Sequence, residues 1–231
     1  MQTIPFSNLL YSLIPLVVVW IFYAKWIKNS KEIPLAVFRM VVQLLLIGYL
    51  LVFIFENKQG FFGALILTFM LIVASLITLR NQKKPSFKEY LLLLFSIGFS
   101  SLLNLGLIIF LILDIQSYEP SYIIPIAGMI FANSMNVLSL CTERFNKELL
   151  EHQSFEQARN SAFKAAMIPQ INTLLAVGLV ALPGMMTGQI LSGVDPMIAV
   201  RYQMMIMSMI LSSAGLSMIV YFIIKRRYNV E

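Results

Sequence analysis

The chain has 231 residues, of which 59% are apolar and 12% charged, and a formal net charge of +6. A soluble domain normally carries about 25% charged residues. Here charge is too sparse to cover a water-facing surface, and a mean hydropathy of +0.82 makes lipid the solvent for much of the chain. The basic residues lie in loops between apolar runs rather than in a stripe on one face, which argues against a nucleic-acid partner. The single Cys141 excludes an internal disulfide framework.

A helix needs about 20 predominantly apolar residues to cross the hydrocarbon core. Seven stretches qualify in chain order: Phe6–Ala24, Ile33–Phe55, Phe61–Leu79, Tyr90–Leu113, Tyr122–Leu140, Ala165–Leu191 and Met197–Ile224. Pro183-Gly184 falls inside the sixth, which is therefore expected to be irregular. Turn-prone residues, including Asn29-Ser30, Asn57, Asn81 and Ser117 to Ser121, occupy the short connections between the first five. The expected fold is all-α, a polytopic membrane protein of about seven transmembrane helices forming one domain, 1–231.

Charge sets the expected orientation. With the N-terminus outside and the C-terminus in the cytoplasm, fourteen of the seventeen basic residues fall on the cytoplasmic side. Only Lys58 lies in an outer loop, while Arg39 and Arg201 lie within spans. Such a partition follows the positive-inside rule. No charged side chain precedes Lys25, so the first apolar run lacks the basic start of a signal peptide and reads as a span. The expected location is the plasma (inner) membrane, with several crossings.

One connection is long, the amphipathic stretch 141–166. Ser154-Phe155-Glu156-Gln157 fits a capping box, in which Ser154 accepts from a free N–H and Gln157 reaches back. The helix that follows places Phe155, Ala158 and Ala162 on one face, with Arg159 and Lys164 elsewhere. Upstream, Phe145, Leu149 and His152 form a similar stripe. Two uses compete: resting on lipid headgroups, or docking onto a soluble cytoplasmic partner.

Polar groups inside lipid are costly, and an ionised one at mid-membrane costs roughly 2.5–3.5 kcal/mol. Arg39 and Gln43, one turn apart, either line a substrate path or snorkel and cap. Asn133, Ser134 and Asn136, then Gln170, Asn172 and Thr173, either touch substrate or bond between helices. Pro183-Gly184 breaks the sixth span and points to a gate or binding site, while Gly184 and Gly188 also have the spacing of a close helix contact. Met185, Met186 and Thr187, followed by Gln189, place soft sulfur beside polar groups; the same methionines equally serve as apolar filling. Asp195 is expected to cap the last span just before Pro196.

The run Leu182-Pro183-Gly184-Met185-Met186-Thr187-Gly188-Gln189 closely resembles the FetB-type permease family of ABC transporters, to which bacterial iron-export permeases and plant aluminium-tolerance permeases belong. Arg39-Met40-Val41-Val42-Gln43-Leu44, Ile126-Ala127-Gly128-Met129-Ile130, Asn133-Ser134-Met135-Asn136 and Arg201-Tyr202-Gln203 fit as well. The resemblance spans nearly the whole chain. It implies a permease subunit, paired with a second copy and with a cytoplasmic ATPase subunit that carries ATP and Mg, so this chain binds no cofactor itself. It implies a coupling role for 141–166, with Ser154, Glu156, Ala158, Arg159 and Ala162 as the coupling residues. Glu156-Gln157-Ala158 with Ala162 resembles the Glu-Ala-Ala…Gly motif of importer permeases, departing at Gln157 and Ala162. The pathway and gating set expected from the intramembrane polar groups and the broken span is Arg39, Gln43, Asn133, Asn136, Asn172 and Pro183 through Gln189.

The residues agree on one point: no Gly-x-x-x-x-Gly-Lys-Ser/Thr loop is present, so ATP hydrolysis is expected on a partner chain. Iron or a metal complex is the implied cargo. With no carboxylate, histidine or cysteine deep in a span and with Arg39 repelling a bare cation, an anionic organic cargo such as a nucleotide-sugar is the alternative. A seven-span receptor is the alternative of another class. An enzyme is not expected, because the spans hold no acid–base or nucleophile set.

Overall fold

The computed structural model describes residues 5–56, 60–80, 82, 85–115 and 117–228, and is all-helical apart from short connections. It divides into two units, residues 1–57 and 58–231, each described by itself.

In the first unit, α1 (Phe6–Leu9) passes through a 3-10 turn at Leu10–Ser12 into α2 (Leu13–Ile27), and α3 (Glu32–Glu56) follows. Lys28 ends α2 in the left-handed region, at φ 59°. The turn is tied by side chains. Trp20 Nε1 donates to the Ser30 carbonyl at 2.7 Å, and Glu32 accepts from Tyr23 Oη at 2.7 Å and from Asn29 Nδ2 at 3.0 Å. The helical stretches Ser7–Ile27 and Glu32–Val52 are long and apolar enough to span a membrane.

The second unit contains α4 (Gly60–Leu79), α5 (Phe87–Gly106), a π-helical turn at Leu107–Ile112, α6 (Pro120–Leu150), α7 (Phe155–Ala176), α8 (Gly184–Leu191) and α9 (Pro196–Tyr228). Its core lies where α4, α5, α6, α7 and α9 meet, around Leu93, Ile97, Leu138, Phe145, Met218 and Tyr221, all fully buried. Small residues let the helices approach: Ala158, Ala162 and Ala166 of α7 are buried in that same core. Gly63 of α4 lies against Tyr118, and a Cβ there would collide with the phenol ring. Near mid-span, Ser212 of α9 donates to Asn104 Oδ1 of α5, whose own amide donates to the Ser100 carbonyl at 2.8 Å. Such polar ties join helices where lipid offers no competing partner.

Among the described residues, six helices are long and apolar enough to cross a membrane. They fall on six of the seven expected stretches, with two extensions. The fifth runs on as helix to Leu150, because the Phe145 and Leu149 stripe continues the same buried face. The last begins at Pro196, where Asp195 Oδ1 accepts from Met197 N at 2.8 Å and Ile198 N at 3.3 Å, the expected cap.

The expected stretch Ala165–Leu191 is not one helix. Residues 177–183 separate α7 from α8, so the interruption is wider than Pro183-Gly184 alone. It begins at Val177, which is extended, and turns at Gly178, with φ +80°. Part of the loop's backbone is bonded internally: Ala176 O accepts from Leu179, Val180 and Ala181 N–H, and Gly178 N–H donates to Ala181 O at 3.0 Å. Leu179, Val180 and Leu182 stand exposed at its tip.

Candidate functional site

Two places in the second unit concentrate polar chemistry. The first is the end of the bundle where the start of α5, the end of α6, the start of α7 and the end of α9 come together. Glu89, 8% exposed, carries an ion pair to Lys225 at 2.5 Å and accepts from Tyr221 Oη at 2.6 Å and Gln82 Nε2 at 3.3 Å. Ser86 caps α5 by accepting from Glu89 N at 3.1 Å. Glu148, also 8% exposed, pairs with Arg144 at 2.6 Å and accepts from Ser161 Oγ at 2.7 Å, joining α6 to α7. A buried carboxylate keeps its charge only with such partners. The Glu89 network is absent from the sequence expectations. Ser86-x-x-Glu89 ahead of an apolar run was its local signal, but the partners Tyr221 and Lys225 lie more than 130 positions away.

The α6–α7 connection projects from this end. His152 turns the chain at φ 61°, and the Ser154–Gln157 capping box is formed, with Ser154 N donating to Gln157 Oε1 at 3.1 Å and Gln157 N to Ser154 Oγ at 3.3 Å. Of the five expected coupling residues, Ser154 and Glu156 are exposed and Arg159 is half-buried. Ala158 and Ala162 are fully buried in the core. The small-residue face of α7 is therefore used within the chain, against neither lipid nor a partner.

The second place is a cavity of about 410 Å³ beside the α7–α8 interruption. α6 contributes Met129, α7 Thr173, the interruption Pro183, α8 Met185, and α9 Gln203 and Met207. Gln203 is 5% exposed, and its side-chain carbonyl has no hydrogen-bond partner. An unmatched buried acceptor costs about 1–3 kcal/mol, and Gln203 is one of the residues that line the cavity. Thr173 Oγ1 is turned back onto the Pro169 carbonyl at 2.8 Å. Three thioethers and one carboxamide make a soft, mostly apolar lining.

The structure distributes the expected pathway residues widely. Pro183, Gly184 and Met185 line this cavity. Met186, Thr187 and Gln189 lie on α8, Thr187 Oγ1 donating to the Pro183 carbonyl at 3.1 Å, while the Gln189 side-chain carbonyl is buried without a partner. A Cβ added at Gly184 or Gly188 would meet open space, so their spacing serves no helix contact within the chain. Asn133 bonds back to the Met129 carbonyl at 2.8 Å, and Asn136 and Asn172 are exposed. Arg39 and Gln43 stand exposed on α3 of the first unit. Gln203 matched a family motif in the sequence, but nothing local marked it as buried.

Comparison with known proteins agrees with this membrane architecture. The chain matches the family described as an uncharacterised protein family, UPF0014, over residues 6–228. It is 36% identical to the UPF0014 membrane protein slr1647 of Synechocystis over 78% of this chain and 76% of that protein. It is 32% identical to the probable iron export permease protein FetB of Escherichia coli over 87% of this chain and 83% of that one. It is 27% identical to ALUMINUM SENSITIVE 3 of Arabidopsis thaliana over 85% of this chain and 77% of that one. No solved structure matches the chain. With every described helix inside the matched region, and apolar helices long enough to cross a bilayer, the chain is an integral membrane protein that belongs to the UPF0014 family.

Proposed function

We propose that this chain is the permease subunit of an ATP-driven exporter, working as a pair of permeases with a separate cytoplasmic ATPase that binds ATP and Mg. The α6–α7 connection is the coupling element, and the cavity beside the α7–α8 interruption is the cargo site. The orientation is that of the positive-inside rule, with the basic end of the second unit in the cytoplasm.

One observation carries the reading: α7 links the two places. Its first turn forms the projecting tip, and its last residue opens onto the cavity. At 22 residues and about 1.5 Å per residue it is about 33 Å long, with Pro169 removing one bond of its ladder near the middle. Ala158, Ala162 and Ala166 seat it closely in the core. Force on the tip is thereby delivered at 177–183, where the ladder is already interrupted. Leu150, 66% exposed, with Glu151, His152 and Glu156 beside it, offers an apolar contact in a polar rim.

The relative named an iron export permease supports a metal cargo. The cavity chemistry supports a metal complex or another largely apolar molecule with a donor for Gln203, rather than a bare hard cation, which takes six or more oxygens. Among the described residues no group of three His, Cys, Asp or Glu side chains could hold a metal ion.

The test is reconstitution of the chain in vesicles with a candidate cytoplasmic ABC-type ATPase from the same organism. ATP hydrolysis should rise on adding the chain, and Leu150→Asp should abolish that rise while leaving the chain folded. Unchanged hydrolysis in both cases, with no cargo moved, disproves the coupling assignment.

A further inference from the structure

At the basic end of the second unit lies a pocket distinct from the cargo cavity, sharing only Arg159 with the expected coupling residues. It measures about 480 Å³ and is built between the first turns of α7 and the last turns of α9. Arg159 and Lys164 of α7 and Arg226 of α9 are its cations, and Phe163, Ile219 and Ile223 form its apolar wall. The remaining polar groups are few. Asn160 Oδ1 accepts from Arg159 Nε at 3.1 Å and Nη2 at 3.0 Å, fixing that guanidinium, and Glu156 stands 3.6 Å from Arg226. That pair is more than 60% exposed on both sides, so water screens it and Arg226 remains available to another anion.

From this arrangement we propose that the pocket binds the headgroup of an anionic phospholipid, with the first carbons of its acyl chains against Phe163, Ile219 and Ile223. The ligand must be amphipathic because the pocket is: cations sit at one rim and hydrocarbon below. Its depth also fits a lipid. On α9 the apolar run ends at Ile224 and is followed directly by Lys225, Arg226 and Arg227, the signature of a helix leaving hydrocarbon for the headgroup layer. Basic pockets between helices at that level collect anionic headgroups. Lys225 is excluded from the site because it is committed to Glu89 on the other side of α9. The proposal needs this end of the bundle to lie at a leaflet surface, but it needs no ATPase.

The full-length chain is extracted in non-ionic detergent from phosphatidylcholine vesicles doped with phosphatidylglycerol at about one lipid in five. Native mass spectrometry then counts retained lipid. Retention of phosphatidylglycerol over phosphatidylcholine is expected, falling about fivefold for each cation removed in Arg159→Gln, Lys164→Gln and Arg226→Gln. Lys147→Gln and Arg227→Gln, exposed cations outside the pocket, are expected to change nothing. Ile223→Trp, which fills the pocket and leaves its charges, is expected to abolish selective retention, a result that bulk charge attraction does not produce. Equal retention in the triple variant and the controls overturns the proposal. So does displacement by millimolar inorganic phosphate, which marks a soluble-anion site. If the triple variant retains lipid but loses the ATPase, the pocket is a protein contact and the lipid assignment is wrong. Lipid retention without any stimulation of the ATPase leaves this site standing and removes the transport reading instead.

Discussion

The basic end of the second unit and the cavity beside the α7–α8 interruption handle buried polar groups in opposite ways. At the basic end every buried carboxylate is matched: Glu89 by Lys225, Tyr221 and Gln82, Glu148 by Arg144 and Ser161. At the cavity Gln203, and at α8 Gln189, keep a buried side-chain carbonyl with no partner. Matched groups make a joint with one arrangement; unmatched ones leave a place whose energy improves when something arrives or the backbone shifts. A transporter of the kind proposed needs both, a stiff region to receive force and a poised one to spend it.

Four substitutions would break or sharpen this contrast. The largest effect is expected from Glu89→Ala, which strands the Lys225 ammonium and the Tyr221 hydroxyl. Removing one partner of a buried pair costs about 3–5 kcal/mol, and partial exposure of Lys225 puts this case near about 3 kcal/mol. Unfolding in detergent should show it, and Glu89→Leu with Lys225→Met should recover most of the loss. A double variant as unstable as the single would show that the network contributes more than charge pairing.

Next comes Ala162→Leu, which forces a larger side chain into the α7 seat and should cost about 1–3 kcal/mol. If α7 is the lever, ATPase stimulation should fall with it. Full coupling in a destabilised variant would sever the tip from the cavity.

Gln203→Leu should behave in the reverse sense. Deleting an unmatched acceptor leaves stability unchanged or raises it by up to about 1 kcal/mol, while transport falls about fivefold through one lost hydrogen bond. A clear loss of stability instead would mean that the carboxamide belongs to the scaffold. The smallest effect is expected for Ser154→Ala, which removes the α7 cap at about 0.5–1 kcal/mol, read in the same unfolding assay.

Helix positions were legible along most of the chain because each is written locally. A run of apolar residues, a capping Ser154, and Asp195 before Pro196 all act within one or two turns. Pro183-Gly184 likewise announced an interruption, although its width did not follow, since the left-handed turn at Gly178 and the bonds onto Ala176 need the folded loop. The site was legible in part. Pro183, Gly184 and Met185 were expected and line the cavity, while Met129, Gln203 and Met207 reach it only because α6 and α9 pack beside them.

Hydropathy is also mute about burial. The spanning stretches of the second unit are 28% to 56% buried within the chain, a spread that their uniformly apolar composition does not announce. What the sequence determined by itself was lipid as solvent, the helices and many of their ends, because transfer from water and capping are sums over neighbouring residues. Tertiary structure alone decided which side of each helix is inside. It turned the Ala158–Ala162 face inward, gave Glu89 its cation from the far end of the chain, and left Gln203 without a donor. Pairing across 130 positions depends on where helices meet, and in a chain apolar on nearly every side the helical period does not say which face that will be.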